Sequence, residues 1–410
     1  MSHRSIILSS IAEGSSHISG FLQGEDSLNT IRAFEQLGVK IERDQDQVRV
    51  VGTGLHGLRK PDTDLDMGNS GTAMRLLLGL LAGQDFDSRL IGDRSLSSRP
   101  MGRVIEPLQL MGAIIESEPG NRAPLQIRGT NALKAIEYDM PVASAQVKSC
   151  LLLAGLYAQG TTVVREPAPT RDHSERMLCG FGCDVHRDDS GISIQGNQSL
   201  SACDLEIPAD ISSAAFFMVA ASIAENSEIT LQHVGVNPTR TGVIEILKLM
   251  GAEIDLLNPR VISGEPVADI RVGYAELKGI DIPLHLVPLA IDEFPVLFIA
   301  AACADGTTRL SGAEELRVKE SDRIQVMADG LVAMGINAQV QADGIIIQGG
   351  EITGGEVDSH GDHRIAMAFS VASLRATDDI RIDDCANVDT SFPGFVNLAR
   401  EAGIRVSIHE

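Results

Sequence analysis

A repeat with a period of about 70 residues is the feature that most restricts the fold of this chain. In residues 243–254, apolar side chains at helical spacing lead to Gly251, and polar and apolar residues alternate after it. This pattern predicts the end of a helix, a glycine in the left-handed conformation and the start of a strand. Five other segments resemble it, and the six stop glycines stand 68 to 84 residues apart at positions 38, 112, 182, 251, 335 and 403.

Short strand-like segments occur in phase with this repeat. They precede the helices at residues 16–20, 88–92, 161–166, 228–233, 307–312 and 379–383. A second strand ending in glycine follows most stop glycines, at residues 48–52, 125–129, 192–196 and 345–349. Alternating strands and helices predict the α/β class. Because a unit of about 70 residues is too large for a common solenoid repeat, we expect two similar domains of three units each, residues 1–207 and 208–410.

Composition and charge exclude several classes of protein. The chain of 410 residues is 43% hydrophobic, enough for a large core, yet no apolar run reaches the roughly 18 residues of a membrane span. The first residues lack the apolar stretch of a signal peptide, so we expect a cytoplasmic protein without a membrane partner. A net charge of -22 disfavours nucleic acid, which binds to basic faces. Six cysteines without zinc or redox spacing predict reduced thiols.

Because the chain as a whole is acidic, clusters of arginine in glycine-rich loops indicate a local role for positive charge. Residues 66–75 place Gly68, Asn69, Ser70 and Gly71 at a helix start. Free backbone N–H groups there suit an anion, although an ordinary Asn or Ser cap explains the same residues. Residues 92–103 hold three arginines that either face solvent or converge on an anion, and the charge deficit elsewhere favours convergence.

Other helix starts carry a similar mixture of polar residues. Residues 144–148 and 169–175 combine hydroxyls, an amide and an arginine, which suit a polyhydroxylated anion or serve as ordinary caps. Arg4 either binds such an anion or belongs to a flexible terminus. In the second half, three helix starts bring carboxylates and cations together, at residues 291–295, 317–323 and 358–364. Acid–base chemistry on an anionic substrate needs that combination.

These motifs resemble one known family in its order along nearly the whole chain. They are Gly68-Asn69-Ser70-Gly71-Thr72, Arg99-Pro100-Met101, Ser144-Ala145-Gln146, Asp292-Glu293, residues 316–323, residues 362–367 and Thr390-Ser391-Phe392-Pro393. They are similar to the 5-enolpyruvylshikimate-3-phosphate synthases, also called 3-phosphoshikimate 1-carboxyvinyltransferases. The resemblance implies an inside-out α/β barrel, in which two similar domains of three repeated units keep their helices inside a shell of sheets. It further implies that the domains close over a cleft toward which helix N-termini point.

The resemblance also implies a reaction and its residues. The enolpyruvyl group of phosphoenolpyruvate moves to the 5-hydroxyl of shikimate 3-phosphate in a monomer, with no metal or other cofactor. Asp292 would take the proton of the 5-hydroxyl, and Lys319 and Glu320 would transfer protons at the enol carbon. The residues implied to bind phosphoenolpyruvate are Asn69, Gly71, Thr72, Arg99, Gln146, Arg323 and Arg364. Those implied to bind shikimate 3-phosphate are Ser2, Arg4, Ser144, Ala145, Gln146, Arg171, Asp292 and Lys319.

The start of the chain departs from the family pattern. In the family, the segment equivalent to Ser2-His3-Arg4 follows an inner strand and a Gly-Asp-Lys-Ser turn whose lysine contacts both substrates, and this sequence begins after that turn. A start codon placed too far downstream, a shortened chain or a natural short form would each explain the difference. We expect this chain to turn over at least about 100-fold more slowly if the lysine contributes about 3 kcal/mol to the transition state.

Three alternative functions stay open at this stage. An enolpyruvyl transferase that acts on a nucleotide sugar would have the same fold, although residues 144–146 and 362–364 fit the shikimate enzymes better. Asp358, His360, Asp362 and His363 could instead form the metal site of a phosphohydrolase. A protein that binds shikimate 3-phosphate without catalysis is the third alternative, and only the missing lysine favours it.

Overall fold

The computed structural model describes residues 1–409, and the chain divides into two compact units. The first unit consists of residues 1–207 and 262–265. The second consists of residues 208–261 and of the chain from residue 266 onward. No helix within residues 1–409 combines the length and apolar character that crossing a membrane requires.

The first unit alternates helices with short strands. Its helices are α1 Ser2–Ile11, α2 Glu25–Gln36, α3 Gly71–Leu81, α4 Arg94–Ser98, α5 Gly102–Leu110, α6 Ala145–Gly155 and α7 His173–Gly180. Its strands are β1 Glu13–Ser19, β2 Lys40–Asp44, β3 Gln47–Thr53, β4 Leu65–Asp66, β5 Ser88–Ile91, β6 Ile114–Glu118, β7 Arg122–Arg128, β8 Glu137–Asp139, β9 Thr161–Arg165, β10 Val185–Asp188, β11 Gly191–Gln195 and β12 Leu205–Glu206.

The second unit alternates in the same way. Its α-helices are α8 Ile211–Ile223, α9 Gly242–Leu249, α10 Phe294–Ala302, α11 Arg323–Ala333, α12 His363–Ala372, α13 Val388–Ser391 and α14 Phe395–Glu401, and two 3-10 turns span Leu284–Leu286 and Glu314–Val318. Its strands are β13 Glu228–Gly235, β14 Glu253–Ile262, β15 Glu265–Gly273, β16 Thr307–Leu310, β17 Asn337–Gln341, β18 Gly344–Gln348, β19 Gly355–Asp358 and β20 Ile380–Asp383.

The three sheets of the first unit have the same design. In each, an antiparallel hairpin (β2–β3, β6–β7 or β10–β11) pairs through its second strand with β1, β5 or β9. A parallel strand, β12, β4 or β8, then pairs with the far side of β1, β5 or β9. The second unit has the sheets β13-β15-β14, β16-β18-β17 and β19-β20. All ten strands named from the sequence occur, with ends that differ by up to three residues, so the α/β class is confirmed.

Three helices in each unit are buried on nearly every side. In the first unit α3 contacts both α1 and α6, and in the second unit α8, α10 and α12 contact one another. All nine residues of α10 and twelve of the thirteen residues of α8 are buried. Their sequences are apolar around the whole helix, and such a helix is stable only inside a core. We call these six helices the inner helices.

The stop glycines confirm the repeat at the level of the backbone. All six have a positive φ, between 84 and 98°. At Gly251 the backbone N–H donates to the carbonyl of Lys248, and the N–H of Ala252 donates to the carbonyl of Leu247. These bonds satisfy carbonyl groups that the end of a helix leaves unpaired, and they need a left-handed residue, which is why glycine stands there.

Candidate active site

The start of α3 is joined to the loop before α5 through Asn69. Its Nδ2 donates to Oδ2 of Asp93 at 2.6 Å, and its Oδ1 accepts from Nη2 of Arg99 at 2.9 Å. The hydroxyl of Ser70 caps α3 by accepting from the N–H of Ala73 at 3.2 Å. The two glycine- and arginine-rich loops named from the sequence are therefore in contact. The guanidinium of Arg99 lies beside the N-terminus of α3, where an anion is favoured.

The starts of α3 and α6 meet through Gln146. Its Nε2 donates to Oγ1 of Thr72 at 2.9 Å, and its Oε1 accepts from Nη1 of Arg75 at 2.7 Å. A methyl group added at Gly71 would lie 2.9 Å from Nη1 of Arg75 and 3.5 Å from Nη1 of Arg99. The absence of a side chain at position 71 thus leaves room for both guanidinium groups.

Arg75 was not named as a site residue from the sequence. Burial lowers the pKa of its guanidinium, and the positive charges of Arg99 and Arg103 lower it further. Three arginines so close together on an acidic chain favour an anion beside them. An arginine inside the otherwise apolar helix α3 was the sequence signal that could have indicated it.

Arg4 connects α1 with the starts of α6 and α7. Its Nε donates to the hydroxyl of Ser174 at 2.7 Å, and its Nη2 donates to the hydroxyl of Ser149 at 3.3 Å. These two hydroxyls also share a hydrogen bond of 2.6 Å. Ser2 is buried, and its hydroxyl accepts from the N–H of Leu22 at 3.1 Å.

Ser144 and Ala145 form the N-terminus of α6. The Ser144 hydroxyl accepts from the N–H of Val147 at 3.4 Å, as the capping alternative predicts, and its side chain stays partly exposed. Arg171 lies in the loop between β9 and α7 and is partly buried. The predicted residues of the first unit thus lie at the N-termini of α1, α3 and α6 and in the loops before α5 and α7.

The second unit has a cluster of charges around Arg323, the first residue of α11. Arg323 is 1% exposed. Its Nε donates to Oδ2 of Asp362 at 2.8 Å, and its Nη2 donates to Oε2 of Glu320 at 2.6 Å. Its Nη1 lies 3.8 Å from Oδ1 of Asp292 and has no hydrogen-bond partner within residues 1–409. A buried guanidinium with one unoccupied nitrogen can still bind a carboxylate or phosphate oxygen.

Asp292 brings two other predicted residues to this cluster. Its Oδ1 lies 3.4 Å from Nζ of Lys319, and its backbone carbonyl accepts from Nη1 of Arg364 at 3.0 Å. Nζ of Lys319 also contacts Oε1 of Glu315 at 2.5 Å. All five residues predicted in the second unit, Asp292, Lys319, Glu320, Arg323 and Arg364, are therefore in one connected group.

Opposing effects set the protonation of the acids in this group. Burial raises the pKa of Glu320 and of Asp362, but the charge of Arg323 outweighs it and holds both pKa values below their usual range. Burial, and after it the positive charge of Arg364, lower the pKa of His363 to about 4. Both carboxyl groups are thus ionised at neutral pH, and the imidazole is neutral.

A second buried group, not predicted from the sequence, lies behind Arg364. Glu293 is 2% exposed, accepts from the hydroxyl of Ser212, and its Oε1 lies 3.9 Å from Nη1 of Arg364 and 3.6 Å from Nη2 of Arg240. Arg240 also reaches Asp210, whose pKa is lowered to about 2 although burial opposes this. The pair Asp292-Glu293 at the head of an apolar helix was the available sequence signal.

The metal alternative gains no support. Within residues 1–409, no three His, Cys, Asp or Glu side chains are grouped so that they could hold a metal ion. Asp362 accepts instead from Arg323 and caps α12 by accepting from the N–H of Arg364 at 3.0 Å. Oδ1 of Asp358 accepts from the N–H of His360 at 2.7 Å.

Both units therefore present cations, carboxylates and hydroxyls at helix starts, a combination that suits an α/β protein that binds anions and moves protons. A family model described as EPSP synthase (3-phosphoshikimate 1-carboxyvinyltransferase) matches residues 1–398. The chain belongs to the EPSP synthase family.

Individual relatives agree over the whole length. The chain is 62% identical over 409 residues to the 3-phosphoshikimate 1-carboxyvinyltransferase of Methylococcus capsulatus, covering 100% of this chain and 94% of that protein. It is 63% identical over 407 residues to the enzyme of the same name from Nitrosococcus oceani, covering 99% and 92%. A solved EPSP synthase structure from Acinetobacter baumannii is similar with a TM-score of 0.93 and 55% identity, covering 100% of this chain and 94% of that one.

Proposed function

We propose that this chain transfers the enolpyruvyl group of phosphoenolpyruvate to the 5-hydroxyl of shikimate 3-phosphate and releases phosphate. It is then a transferase of the shikimate pathway, which leads to the aromatic amino acids. Relatives that are 62 and 63% identical carry the name of this activity. The observation that carries the proposal is the connected group of Asp292, Lys319, Glu320, Arg323 and Arg364, because it joins proton-transfer groups to anion-binding groups.

The reaction requires a proton to be added to the methylene carbon of phosphoenolpyruvate. The cation that forms at the adjacent carbon is attacked by the 5-hydroxyl, which loses its proton, and a tetrahedral intermediate results. That intermediate loses phosphate and a proton from the new methyl group, which restores the carbon–carbon double bond and gives the enol ether product. Two proton transfers at one carbon and one at the hydroxyl oxygen have to be catalysed.

Asp292 is the proposed base for the 5-hydroxyl. Its carboxylate is held near the cations of Lys319 and Arg323, at 3.4 and 3.8 Å. Lys319 and Glu320 are the proposed pair for the enol carbon. In the unliganded protein Glu320 is ionised because of Arg323, and the negative charge of a bound phosphoenolpyruvate would favour its protonated form. Glu320 could then give a proton and later take one back.

The proposed phosphoenolpyruvate ligands in the first unit are Asn69, Gly71, Thr72, Arg99 and Gln146, and those in the second unit are Arg323 and Arg364. Charge-assisted hydrogen bonds of this kind contribute about 1.5 to 3 kcal/mol each. The proposed ligands of shikimate 3-phosphate are Ser2, Arg4, Ser144, Ala145, Gln146, Arg171, Asp292 and Lys319. The hydroxyl of Ser2, which accepts from the N–H of Leu22, still has its own proton to donate to this substrate.

Phosphate release from the two substrates tests the function. We expect release that requires both substrates, and we would assay this chain beside one extended upstream of Met1. Replacing shikimate 3-phosphate with a uridine diphosphate sugar tests the sister activity. If neither chain releases phosphate under conditions in which the Methylococcus capsulatus relative does, the transferase proposal is wrong. Binding of shikimate 3-phosphate without turnover would favour the binding-protein alternative.

Asp292→Asn tests the assignment of the base. The amide keeps the shape of the side chain but cannot accept the hydroxyl proton, so we expect kcat to fall about 100- to 10,000-fold with little change in either KM. The matched control is Asp281→Asn, because the Asp281 side chain is 79% exposed. A variant of Asp292 that keeps more than a tenth of the wild-type kcat would rule out this role.

A monomeric state and a cytoplasmic location are proposals of the same kind. Sedimentation of the purified protein and fractionation of its host cell would check them.

A further inference from the structure

A fully buried ammonium lies two residues after Gln146 and does not face the proposed substrates. Lys148, on α6, has no exposed side-chain surface. Its Nζ lies 2.6 Å from Oε1 of Glu175 and 3.1 Å from Oε1 of Glu166, whose side chains are 10 and 5% exposed. A buried charge is costly unless opposite charges compensate it. Burial of these three charged groups therefore carries a desolvation cost, which their mutual attraction offsets.

The two carboxylates stand at opposite ends of one loop. Glu166 directly follows β9, and Glu175 lies in the first turn of α7. Between them, residues 167–172 contain Pro167 and Pro169, which have no backbone N–H to donate. The loop thus has two fewer backbone donors, and the ammonium of Lys148 contacts a carboxylate at each of its ends.

Glu166 extends this connection into the loop itself. Its Oε1 accepts from the hydroxyl of Thr170, the residue just before Arg171. Its Oε2 lies 3.7 Å from Nη2 of Arg187, so two cations and two carboxylates balance in charge. A continuous path thus runs from the first turns of α6, through Lys148 and Glu166, to the neighbour of Arg171.

We propose that Lys148, acting through Glu166 and Glu175, is a positioning residue for shikimate 3-phosphate, which fixes Arg171 relative to Ser144 and Gln146 at the start of α6. Ser144 and Gln146 are two and four residues from Lys148 on the same segment of chain. Arg171 is on the loop that the ammonium holds. The inference rests on the proposed function, since it concerns the assigned ligands of that substrate.

Glu166→Met is the sharpest test. It removes the contacts to Lys148 and Thr170 but leaves one ammonium beside one carboxylate, Glu175, and Arg187 is 46% exposed and can be solvated. We expect the KM for shikimate 3-phosphate to rise about tenfold, because a misplaced guanidinium loses much of a charge-assisted bond. The KM for phosphoenolpyruvate should change less than about twofold. Glu166→Gln, which keeps an acceptor for Thr170, should fall between wild type and Glu166→Met.

The matched control is Glu137→Met, which breaks the 2.6 Å pair with Arg165 on the neighbouring strand while Glu137 is 66% exposed. It should leave both KM values unchanged. The double variant Lys148→Met, Glu175→Gln removes the ammonium and one carboxylate together, and we expect the same selective rise in KM. Thermal unfolding and circular dichroism would establish that each variant is folded at the assay temperature.

The outcomes separate the two levels of proposal. If wild type neither binds nor converts shikimate 3-phosphate, the proposed function has failed. If wild type is active and the folded variants keep its KM for shikimate 3-phosphate within about twofold, the positioning role is overturned. Equal rises in both KM values, or loss of folding in both Met-containing variants, would also overturn it, because the ion group would then have only a structural role.

Discussion

At the scale of single residues, most of the site's charges are compensated before any substrate binds. Arg323 illustrates this, since it is almost completely buried and still charged because the carboxylates of Asp362 and Glu320 accept hydrogen bonds from it and raise its pKa. Removing one partner from such a group leaves an uncompensated buried charge, which is strongly destabilising. Of its three nitrogens, only Nη1 has no hydrogen-bond partner within residues 1–409, and it lies 3.8 Å from Oδ1 of Asp292.

Gly71 sets the space available to two arginines. We expect Gly71→Ala to raise the KM for phosphoenolpyruvate about tenfold, because the added methyl group would lie 2.9 Å from Nη1 of Arg75 and displace it from Gln146. The measurement is steady-state kinetics with each substrate varied in turn.

Gly350→Ala is the control for this change. The nearest atom to its added methyl group is 3.7 Å away, which is ordinary contact, so its kinetics should match wild type. A wild-type KM in Gly71→Ala would mean that the space at position 71 does not control the binding of phosphoenolpyruvate.

At the scale of elements, the inner helices decide where the predicted residues meet. α3 and α6 pack so closely that a methyl group at Gly79 would lie 2.2 Å from the carbonyl oxygen of Cys150. This contact fixes the two helices in register, so that Thr72 and Gln146, each near the start of its helix, are within hydrogen-bond distance. Helix packing therefore determines the geometry of the site in the first unit.

Gly79→Ala should separate these two helices. We expect it to destabilise the protein by about 1 to 3 kcal/mol, the usual cost of overpacking, and to raise the KM for both substrates. Denaturant unfolding and kinetics would measure the two effects. Gly180→Ala is the matched control, because Gly180 is also helical and a methyl group there meets no atom within 4 Å. Unchanged stability in Gly79→Ala would contradict the close packing of α3 on α6.

At the scale of the whole molecule, partly buried histidines make folding depend on pH. Burial is the main cause that lowers the pKa of His3 to about 3, and that of His173 and His363 to about 4, from 6.5. Below pH 6.5 the unfolded chain takes up protons at these three positions that the folded protein does not. Their contribution to stability is thus fully present above that pH and is lost as the pH falls toward 4.

The protein should therefore lose stability already in mild acid, between pH 7.5 and pH 5. With nearly three such protons, the free energy of unfolding should fall by roughly 4 kcal/mol per pH unit near pH 5. Denaturant midpoints at pH 7.5 and pH 5 would measure it. His3→Gln should reduce the difference between the two midpoints, whereas His17→Gln should not, because His17 is exposed on β1. Equal midpoints at both pH values would contradict the burial of neutral histidines.

The sequence alone determined the repeat and the α/β class, and it named most residues of the candidate site. Stop glycines, caps and alternating strands are local signals, since each depends on the backbone preferences of a few neighbouring residues. The motifs also indicated the family, and with it Asp292, Lys319, Glu320, Arg323 and Arg364, which the structure places in one connected group.

Only the tertiary structure decided which distant side chains compensate one another. Nothing local distinguishes Lys148 from a surface lysine, and its partners Glu166 and Glu175 are on other elements. The same holds for Arg75 with Gln146, and for Glu293 with Ser212 and Arg240. Burial and ion pairing depend on how helices and strands pack, and packing sums many weak contacts between residues far apart in sequence. These contacts therefore cannot be predicted from a short stretch of sequence.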